Sequence, residues 1–560
     1  MLRQRFLLRH HAEFGELGPA SSDSGPEEDM MRKKIRCVAG FPSLCLPAWL
    51  LLLALPGFAT DKPRRPFVIR PNKFMVSIPL GEVLKHTPPI QPRPWTIRAE
   101  HETPSHMARI YYLPDPVIQD STETLSELGV TLGYNFDGPN GTQSGNVTPP
   151  DTNGAVGDKQ FFLITNDAFE IFDKATGKQL TDPAYIHSIW GSQFGGQRGT
   201  QDGGDPVVLF DHLANVWLIE QLEYITSYQI CVAVSQTDDA TGKWSLYAYT
   251  FNNGLTDYPK LGVWPDAYYL AFNFFGPGDG EPCAWDRKAM IAGEKNPALI
   301  CFNPNSSDMG FLPSDLDGAM LPPSGAPNHY VEMGNSNTTL NEYDFHVDFK
   351  HPNQSTFTGP NIIPVPAYTT LCGTGAGQCI PEPAGGSLLD ALGDRLMFRN
   401  AYRNFGDHES MVFSHAVAPG KGSTAVSAER WYELRSTGNG FFLYQAGTYQ
   451  NSKDNYWMGS LGMDKAGDIA LGFSVDNSTN LAPSIWITGR VPSDPLNKME
   501  GVKGVHKGTK VQTQDNRWGD YSSMSVDPTD DCTMWYTQQY SDGGFNWQSH
   551  IVSFRFNNCQ

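Results

Sequence analysis

Short apolar runs separated by polar turns recur along the chain from Asp151 to its C-terminus. Each unit opens on small or polar residues, continues as a β-rich run, turns at Asp or Gly, and returns as a second run with aromatic residues. Six stretches follow this pattern: PDTNGAVGDKQFFLITN, GDPVVLFDHLANVWLIEQL, YPKLGVWPDAYYLAFNFF, LLDALGDRLMFRNAYR, YWMGSLGMDKAGDIALGFSV and WGDYSSMSVDPTDDCTMWYTQQY. No later segment holds an apolar period of 3.6 residues for long, so the pattern predicts antiparallel hairpins rather than a parallel α/β sheet.

Further strand-like runs between the hairpins complete units of about 50–70 residues, enough for four strands each. A weaker seventh instance begins at Asn328. The repeat predicts an all-β fold, a single β-propeller of about seven four-stranded blades, with two tandem β-sandwiches as the structural alternative. Each of the six hairpins carries an Asp at its turn, where the side chain bonds the local backbone: Asp158, Asp211, Asp266, Asp394, Asp464 and Asp527.

The first 59 residues read as an N-terminal extension followed by a signal peptide. Basic residues at 31–36 precede an apolar run at 45–55, and Gly57 and Ala59 are small residues suited to a cut after Ala59. The apolar run is shorter than the roughly 20 residues that span a bilayer, so we expect no membrane span after cleavage. The predicted segments are 1–59 as extension and signal, 60–149 as an extended lead-in, and 150–560 as the propeller of a secreted protein, extracellular or periplasmic.

The balance of charge limits the class of partner. The formal net charge is −19 at pH 7. Such a charge opposes binding to nucleic acid and to anionic membrane surfaces. It permits a structural calcium ion without demonstrating one, and no other cofactor is indicated.

The cysteines of an exported chain are expected to form disulfides. Cys372 and Cys379 enclose a short Gly-rich loop, and a bond between Cys532 and Cys559 would fix the terminal strand. Cys283 with Cys301 is a third pair, which leaves Cys231 odd and buried. No spacing forms the CxxC pattern of a zinc site.

Two turn motifs carry a resemblance to a known class of propeller. DGGFNW at 542–547 fits the core D-x-G-x-x-W of the Asp-box turn of sialidase-like propellers, although Tyr540 stands where that motif has Ser, and TDDATGKW at 237–244 is similar. Residues 149–559 as a whole resemble a set of secreted bacterial β-propellers without an assigned activity, through strings such as GDPVVLFDHLANVWLI and RWGDYSSMSVDPTDDCTMWYTQQY. The resemblance implies a propeller and supplies no catalytic residues. The early Arg-Ile-Pro signature of sialidases is absent, which argues against that activity.

The openings of the repeats are the candidate site. If the first run of each repeat is the innermost strand of a blade, these opening residues converge at one mouth of the central channel, where acids, aromatics and cations suit a polyhydroxylated ligand. Asp205 and Asp520 are the preferred acid and base or nucleophile pair, against the alternative that both are structural hydrogen-bond acceptors. The remaining candidate ligand-binding residues are Asp151, Asp257, Tyr258, Lys260, Tyr456, Trp457, Arg517 and Trp518.

A second candidate lies in FGDHESMVFSHAV, where His408 and Glu409 could serve as base and partner in a lyase. The alternative is a hydrogen-bonded loop. HExxH and GxSxG are absent, which excludes a zincin site and removes support for a serine nucleophile. PDTNG and DPTDD suggest calcium loops, but neither completes the EF-hand pattern.

These features predict a secreted propeller that binds a glycan, or a cell-wall polymer, at its central mouth and cleaves it by hydrolysis or elimination if it is an enzyme. The rival hypothesis is a non-catalytic adhesion or scaffold protein that binds a protein or a cell-wall polymer on its broad faces. The two predict different centres, because an enzyme must bring several reactive groups within reach of one atom.

Overall fold

The computed structural model describes residues 64–91, 93–98, 114–122, 126–194, 202–223, 228–251, 254–275, 281–303, 310–372, 377–419 and 426–560, and the predicted signal peptide lies outside them. Strands dominate these residues, since the apolar runs are too short and too rich in turn-formers for helices. The helical segments are α1 (Leu80–His86), α2 (His187–Phe194), α3 (Arg287–Ile291) and a 3₁₀ turn (Pro352–Gln354).

The strands, numbered in chain order, form seven principal sheets, and the strand order of each sheet runs from its inner strand outward. Sheet 1 contains β7 (Asn153–Val156), β8 (Gln160–Ile164), β9 (Ala168–Asp173) and β10 (Ala184–Tyr185). Sheet 2 contains β11 (Val207–Asp211), β12 (Val216–Glu223), β13 (Gln229–Ser235), β14 (Trp244–Thr250) and β2 (Lys73–Val76). Sheet 3 contains β15 (Leu255–Val263), β16 (Tyr268–Phe275), β17 (Glu281–Trp285), β18 (Leu299–Phe302) and β1 (Pro66–Ile69). Sheet 4 contains β19 (Leu312–Leu316), β20 (Asn328–Met333), β21 (Thr339–His346) and β22 (Thr356–Pro364).

Sheet 5 contains β25 (Asn400–Asn404), β26 (Glu409–Val417), β27 (Ala428–Ser436), β28 (Phe441–Gln450) and β4 (Ile118–Asp120). Sheet 6 contains β29 (Asn455–Met463), β30 (Ile469–Asn477), β31 (Leu481–Arg490) and β32 (Lys503–His506). Sheet 7 contains β34 (Ser523–Val526), β35 (Thr533–Gly544), β36 (Trp547–Phe556) and β5 (Val130–Asn140), and β33 (Lys510–Gln512) pairs with β35 in parallel. Two short pairs remain, β3 (Thr96–Ile97) with β6 (Val147–Thr148) and β23 (Gln378–Pro381) with β24 (Leu388–Asp390).

The inner strands close into a ring. β7 contacts β11, and the order continues through β15, β19, β25, β29 and β34 back to β7. A short parallel pairing of β19 with β25 joins sheets 4 and 5. The protein is therefore an all-β propeller, as predicted, and the seven sheets agree with the expected number of blades. The first run of the predicted repeat is the inner strand in sheets 1, 2, 3, 6 and 7.

The apolar core lies between the faces of neighbouring sheets. Inner and middle strands are buried along almost their whole length, so side chains of both faces meet the next blade. Tyr269 of sheet 3 packs edge to face on Phe345 of sheet 4 with centroids 5.2 Å apart. Phe161 of sheet 1 stacks on Trp535 of sheet 7 at 5.2 Å. These contacts hold the blades in a circle and fix the positions of the inner strands.

The lead-in segment supplies outer strands to four blades. β2 pairs with β14 and β1 with β18, both antiparallel, while β4 pairs in parallel with β28. β5 pairs along most of β36 and completes sheet 7, whose other strands come from the C-terminal end of the chain. The added strands cover edges that would otherwise present unpaired backbone groups. The boundaries predicted at 59 and 149 stay predictions.

The three predicted disulfides are confirmed: Cys283–Cys301, Cys372–Cys379 and Cys532–Cys559, with Cys231 buried and free. Such bonds are typical of an oxidising compartment, consistent with an extracellular location. Within the part of the chain that the structure describes, no helix is long and apolar enough to cross a membrane.

Several turn aspartates accept local N–H groups. Asp211 accepts from Leu213 at 3.1 Å, and Asp527 accepts from Thr529 at 2.9 Å. Asp394 differs, because it precedes β25 and its carboxylate accepts from the side chain of Arg395 at 2.9 Å.

Candidate functional site

Four inner strands share an unusual backbone conformation at their start. Asp151, Asp205, Tyr258 and Met458 have φ of 48°, 51°, 53° and 54°, and each lies five or six residues before the end of its inner strand. A positive φ is unfavourable for residues with a side chain, at about 1–2 kcal/mol each. Because the same conformation recurs in four sheets, it marks one mouth of the ring, and backbone outliers of this kind cluster at functional sites.

Three aspartates from three sheets meet at this mouth, Asp151, Asp205 and Asp520. The main-chain N–H of Asp520 donates to Asp151 Oδ1 at 2.7 Å. Asn166 donates through Nδ2 to Asp151 Oδ2, and its Oδ1 accepts the N–H of Asp205 at 2.7 Å. The hydroxyl of Tyr521 donates to Asp205 Oδ2 at 3.4 Å. The end and the beginning of the ring are thereby joined around one acidic cluster.

Cations lie among these acids. Lys260 Nζ is 3.0 Å from the ring centroid of Tyr258 and 3.8 Å from that of Tyr521, and it donates to the carbonyl of Pro259 at 3.1 Å. Arg395 also contacts Tyr258, with its guanidinium carbon 4.8 Å from the centroid of the tyrosine ring. Lys260 is 1 % exposed, so its charge is balanced inside the protein.

Arg517 connects the cluster to its neighbouring loop. Its guanidinium donates to Asp390 Oδ2 at 2.8 Å and to Asp520 Oδ1 at 3.3 Å. The carboxylate of Asp520 is therefore held by a salt bridge, while its N–H is occupied by Asp151. Asp520 is therefore held both through its carboxylate and through its main-chain N–H.

Burial and mutual repulsion perturb the ionisation of these groups. The pKa of Asp205 is raised well above its usual value by burial and by the charges of Asp257, Asp151 and Asp520, against the opposing effect of Lys260. The pKa of Asp151 is raised to about 7 by burial and by Asp520. Burial also lowers the pKa of Lys260. Strong shifts of several neighbouring groups are characteristic of functional sites.

Solvent reaches only part of the cluster. Asp205 and Asp257 are partly exposed, whereas Asp151, Lys260 and Asp520 are buried. Among these acids and Lys260, Asp205 is therefore the residue that combines a raised pKa with partial exposure of the residue as a whole. The structure brings together seven of the residues singled out from the sequence: Asp151, Asp205, Asp257, Tyr258, Lys260, Arg517 and Asp520.

The predicted ligand-binding aromatic residues of sheet 6 and of the segment before β34 are buried in the protein core. Trp457 and Trp518 are fully buried with centroids 5.7 Å apart, in the same apolar group as Tyr258. Tyr456 packs on Phe473 at 4.6 Å in the core between sheets 5 and 6. These rings support the floor of the mouth and offer no open face for a sugar to stack on.

His408 and Glu409 are not near the aspartate cluster in the fold. They follow the end of β25, whereas the cluster lies at the starts of the inner strands. His408 Nδ1 lies 2.7 Å from Asp407 Oδ1, and its ring stacks on Phe405. Glu409 Oε2 accepts the hydroxyl of Tyr402 at 2.7 Å. These contacts are those of a hydrogen-bonded turn.

Asn166, Arg395, Asp390 and Tyr521 belong to the cluster although the sequence did not single them out. Tyr521 could have been predicted from the sequence, because it directly follows Asp520 at the opening of a repeat. Asn166 lies in the turn between β8 and β9, and Arg395 lies before β25 in a segment that departs from the repeat. Nothing in the local sequence of either residue indicates the contact.

The opposite mouth contains a cavity of about 600 Å³. Its lining includes Arg399, which donates to Asp315 Oδ2 at 2.8 Å and to Asp317 Oδ1 at 2.7 Å. A larger cavity of about 910 Å³ lies beside α1 on the lead-in segment. Volume and perturbed ionisation thus point to different places. We take the perturbed pKa values as the stronger indication of a functional site, because the charge of Arg399 in the opposite cavity is already paired with two aspartates.

Two groups of described residues without disulfide cysteines have the geometry of a metal site. Each places three potential ligand atoms close together: His329 with Glu342 and Asp344, and Asp137 with His506 and His550. In the first, the Nδ1 of His329 lies 2.9 Å from an oxygen of each carboxylate, an ion pair that raises its pKa to about 9 despite burial. The structural calcium ion remains a prediction.

No protein-family model and no curated protein matches the chain. Solved structures with some likeness include an endo-arabinase from Bacteroides thetaiotaomicron (15% identity, covering 51% of this chain and 94% of that one, TM-score 0.26). A Trypanosoma rangeli sialidase matches at 12% identity over 63% and 54% of the two chains, TM-score 0.28. The catalytic domain of a Coprinopsis cinerea GH62 α-L-arabinofuranosidase matches at 10% over 64% and 93%, TM-score 0.26. At such TM-scores these likenesses carry no inference about the site.

Proposed function

We propose that this protein is a secreted propeller that binds a glycan at the mouth where Asp151, Asp205 and Asp520 meet, and that it cleaves the glycan there. The observation that supports this most is the state of Asp205, a partly exposed residue whose carboxyl group has its pKa raised by burial and by three neighbouring carboxylates. A carboxyl group that keeps its proton near neutral pH is suited to protonate a leaving oxygen.

The chemistry requires a second group, and Asp257 is the best candidate. It is partly exposed, and of the charges that raise the pKa of Asp205 its charge is the strongest. A pair of carboxyl groups in which one carries the proton is the usual equipment for glycoside hydrolysis. Asp520, preferred from the sequence, then holds the cluster in place through Arg517 and Asp151.

The class of ligand follows from charge. The chain is strongly acidic and four aspartates surround the mouth, so an anionic substrate would be repelled. A neutral polyhydroxylated ligand instead offers hydroxyl groups that donate to carboxylates. Secretion is supported by the three disulfides, which persist in oxidising surroundings.

The test is release of reducing ends from a panel of neutral polysaccharides, with binding measured in parallel by calorimetry. Asp205→Asn is compared with Asp158→Asn, a partly exposed aspartate at the other end of inner strand β7. We expect Asp205→Asn to lower the rate by about 10²–10⁴-fold, the usual contribution of a general acid, while Asp158→Asn leaves the rate unchanged.

The outcomes separate the hypotheses. If the release of reducing ends is lost in both variants, or in neither, Asp205 is not the general acid. Binding without release would support a recognition protein, and absence of both would favour the adhesion or scaffold alternative. Circular dichroism of each variant shows that the propeller is intact.

A further inference from the structure

A separate polar group lies where the propeller closes, on its outer side. Asp137 of β5 and His550 of β36 are directly paired in register in sheet 7. His506 ends β32, the outermost strand of sheet 6. One ligand atom from each of these three residues lies within 4.8 Å of the other two. Three strands from two blades thus bring two imidazoles and a carboxylate together.

The hydrogen bonds of His550 leave one ring nitrogen with an unusual environment. His550 Nε2 faces Asn135 Oδ1, whose identity as oxygen is supported by Asn135 Nδ2, which points to the carbonyl of Val505 at 3.5 Å. His550 Nδ1 lies 2.6 Å from Asp137 Oδ1. Both nitrogens face acceptor oxygens, but a neutral imidazole carries only one proton. With Nε2–H donating to Asn135, the Nδ1 lone pair is directed at the Asp137 carboxylate, so two potential ligand atoms of a metal ion face each other.

His506 is held beside this pair by stacking. Its ring stacks on Tyr540 with centroids 3.9 Å apart and lies 4.6 Å from the ring of His550. The Tyr540 hydroxyl also reaches Asp137 Oδ2 at 3.4 Å. The second imidazole is therefore positioned by packing, and Asn135 supplies the carbonyl partner that metal-bound histidines usually have for their other ring nitrogen.

We propose that Asp137, His506 and His550 bind a divalent transition-metal ion of the zinc class. Two imidazole nitrogens and one carboxylate oxygen suit Zn²⁺ and its neighbours, whereas Ca²⁺ and Mg²⁺ prefer oxygen ligands alone. The side chain of Asp137 is 46 % exposed, which leaves room for water to complete the coordination. This site is independent of the glycan proposal, and its ion would join sheet 6 to the two strands at which sheet 7 closes.

The experiment titrates Zn²⁺ into the full chain by calorimetry and records the melting temperature with Zn²⁺ and with EDTA. The protein is purified without a polyhistidine tag, and His10 and His11 are both changed to Ala in every sample, because adjacent histidines bind zinc by themselves. The site variants are His506→Ala and Asp137→Asn. The matched control is His351→Ala, a histidine that also lies beside an aspartate, Asp348, at 3.2 Å.

We expect one ion per chain, a higher melting temperature with Zn²⁺ than with EDTA, and affinity weakened at least about tenfold in both site variants but not in the control. Ca²⁺ should produce no such shift. Zinc binding that is equally tight in the site variants and the control would overturn the proposal, as would the absence of a stoichiometric ion. Asp137→Asn keeps the test valid if His506→Ala proves unstable, since Asp137 is largely at the surface.

Discussion

The main-chain N–H of Asp520 donates to Asp151 Oδ1 across 2.7 Å, although 369 residues separate the two in sequence. This bond joins the segment before β34 to the segment before β7, so it closes the ring at the candidate site itself. Changes in the acidic cluster therefore affect two properties, the ionisation of Asp205 and the closure of the propeller. Experiments at this site need a readout for each.

Replacing Lys260 with Met should move the pH dependence of glycan cleavage. The charge of Lys260 lowers the pKa of Asp205 and opposes the raising effect of burial and of the other aspartates. Without it, Asp205 keeps its proton to higher pH, so the alkaline limb of the kcat/KM profile should move to higher pH. Lys453→Met, at the exposed residue Lys453, is the control. An alkaline limb that stays in place or moves down would show that Asp205 is not the proton donor.

Glu429 should make the protein less stable as pH rises. It is fully buried, and burial raises its pKa to about 8. Since the folded pKa exceeds the unfolded one of about 4.5, its contribution to stability is complete below pH 4.5 and lost as pH rises through 8. The free energy of unfolding of Glu429→Gln, relative to that of the wild type, should therefore increase by about 3 kcal/mol between pH 5 and pH 8.

Urea unfolding at the two pH values measures this difference for Glu429→Gln. Glu82→Gln, at an exposed glutamate, should show no comparable pH dependence. A constant difference between wild type and Glu429→Gln at both pH values would mean that Glu429 ionises normally in the folded protein.

The sequence predicted the fold and much of the cluster because both follow from the repeat. Inner strands start at the same mouth, so Asp151 and Asp205 had to be close once the first run of each hairpin was recognised as the inner strand. In the neighbouring inner strands β15 and β29, side chains do not simply alternate between the two faces of the sheet. These strands contain register shifts between Asp257 and Lys260 and between Trp457 and Ser460. A bulge changes which side chains face the mouth, so Trp457 could not be placed from its position in the repeat.

Long-range pairings were the other limit. β1 and β2 pair with strands more than 150 residues away, and β5 pairs with β36 near the C-terminus. Nothing in these short segments identifies the partner strand. Arg395 is a similar case, because it reaches Tyr258 from a stretch before β25 that does not follow the hairpin pattern.

The lead-in strands should differ in importance for folding. A chain that begins at residue 141 lacks β5 and exposes the long edge of β36, so we expect it to aggregate. A chain that begins at residue 126 keeps β5 and loses β1, β2, β3, β4 and α1, so it should fold with a lower melting temperature. Size-exclusion chromatography and circular dichroism distinguish the two. A monomeric, folded chain beginning at 141 would show that β5 is dispensable for closure.

The disulfide between Cys532 and Cys559 should contribute more stability than the one between Cys372 and Cys379. The first spans 27 residues and the second 7, and it fixes the chain just after β36, beside the strands that close the ring. In the chain-entropy account the longer loop gains about 1 kcal/mol over the shorter one. The measurement is urea unfolding of two variants, each with both cysteines of one disulfide replaced by Ser. Counting free thiols in the wild type verifies that Cys231 is the one reduced cysteine among residues 64–560. An equal or larger loss for the Cys372 and Cys379 pair would show that strain or residual structure in the unfolded chain outweighs loop length, and that the C-terminal strand is held mainly by its pairing with β5 and β35.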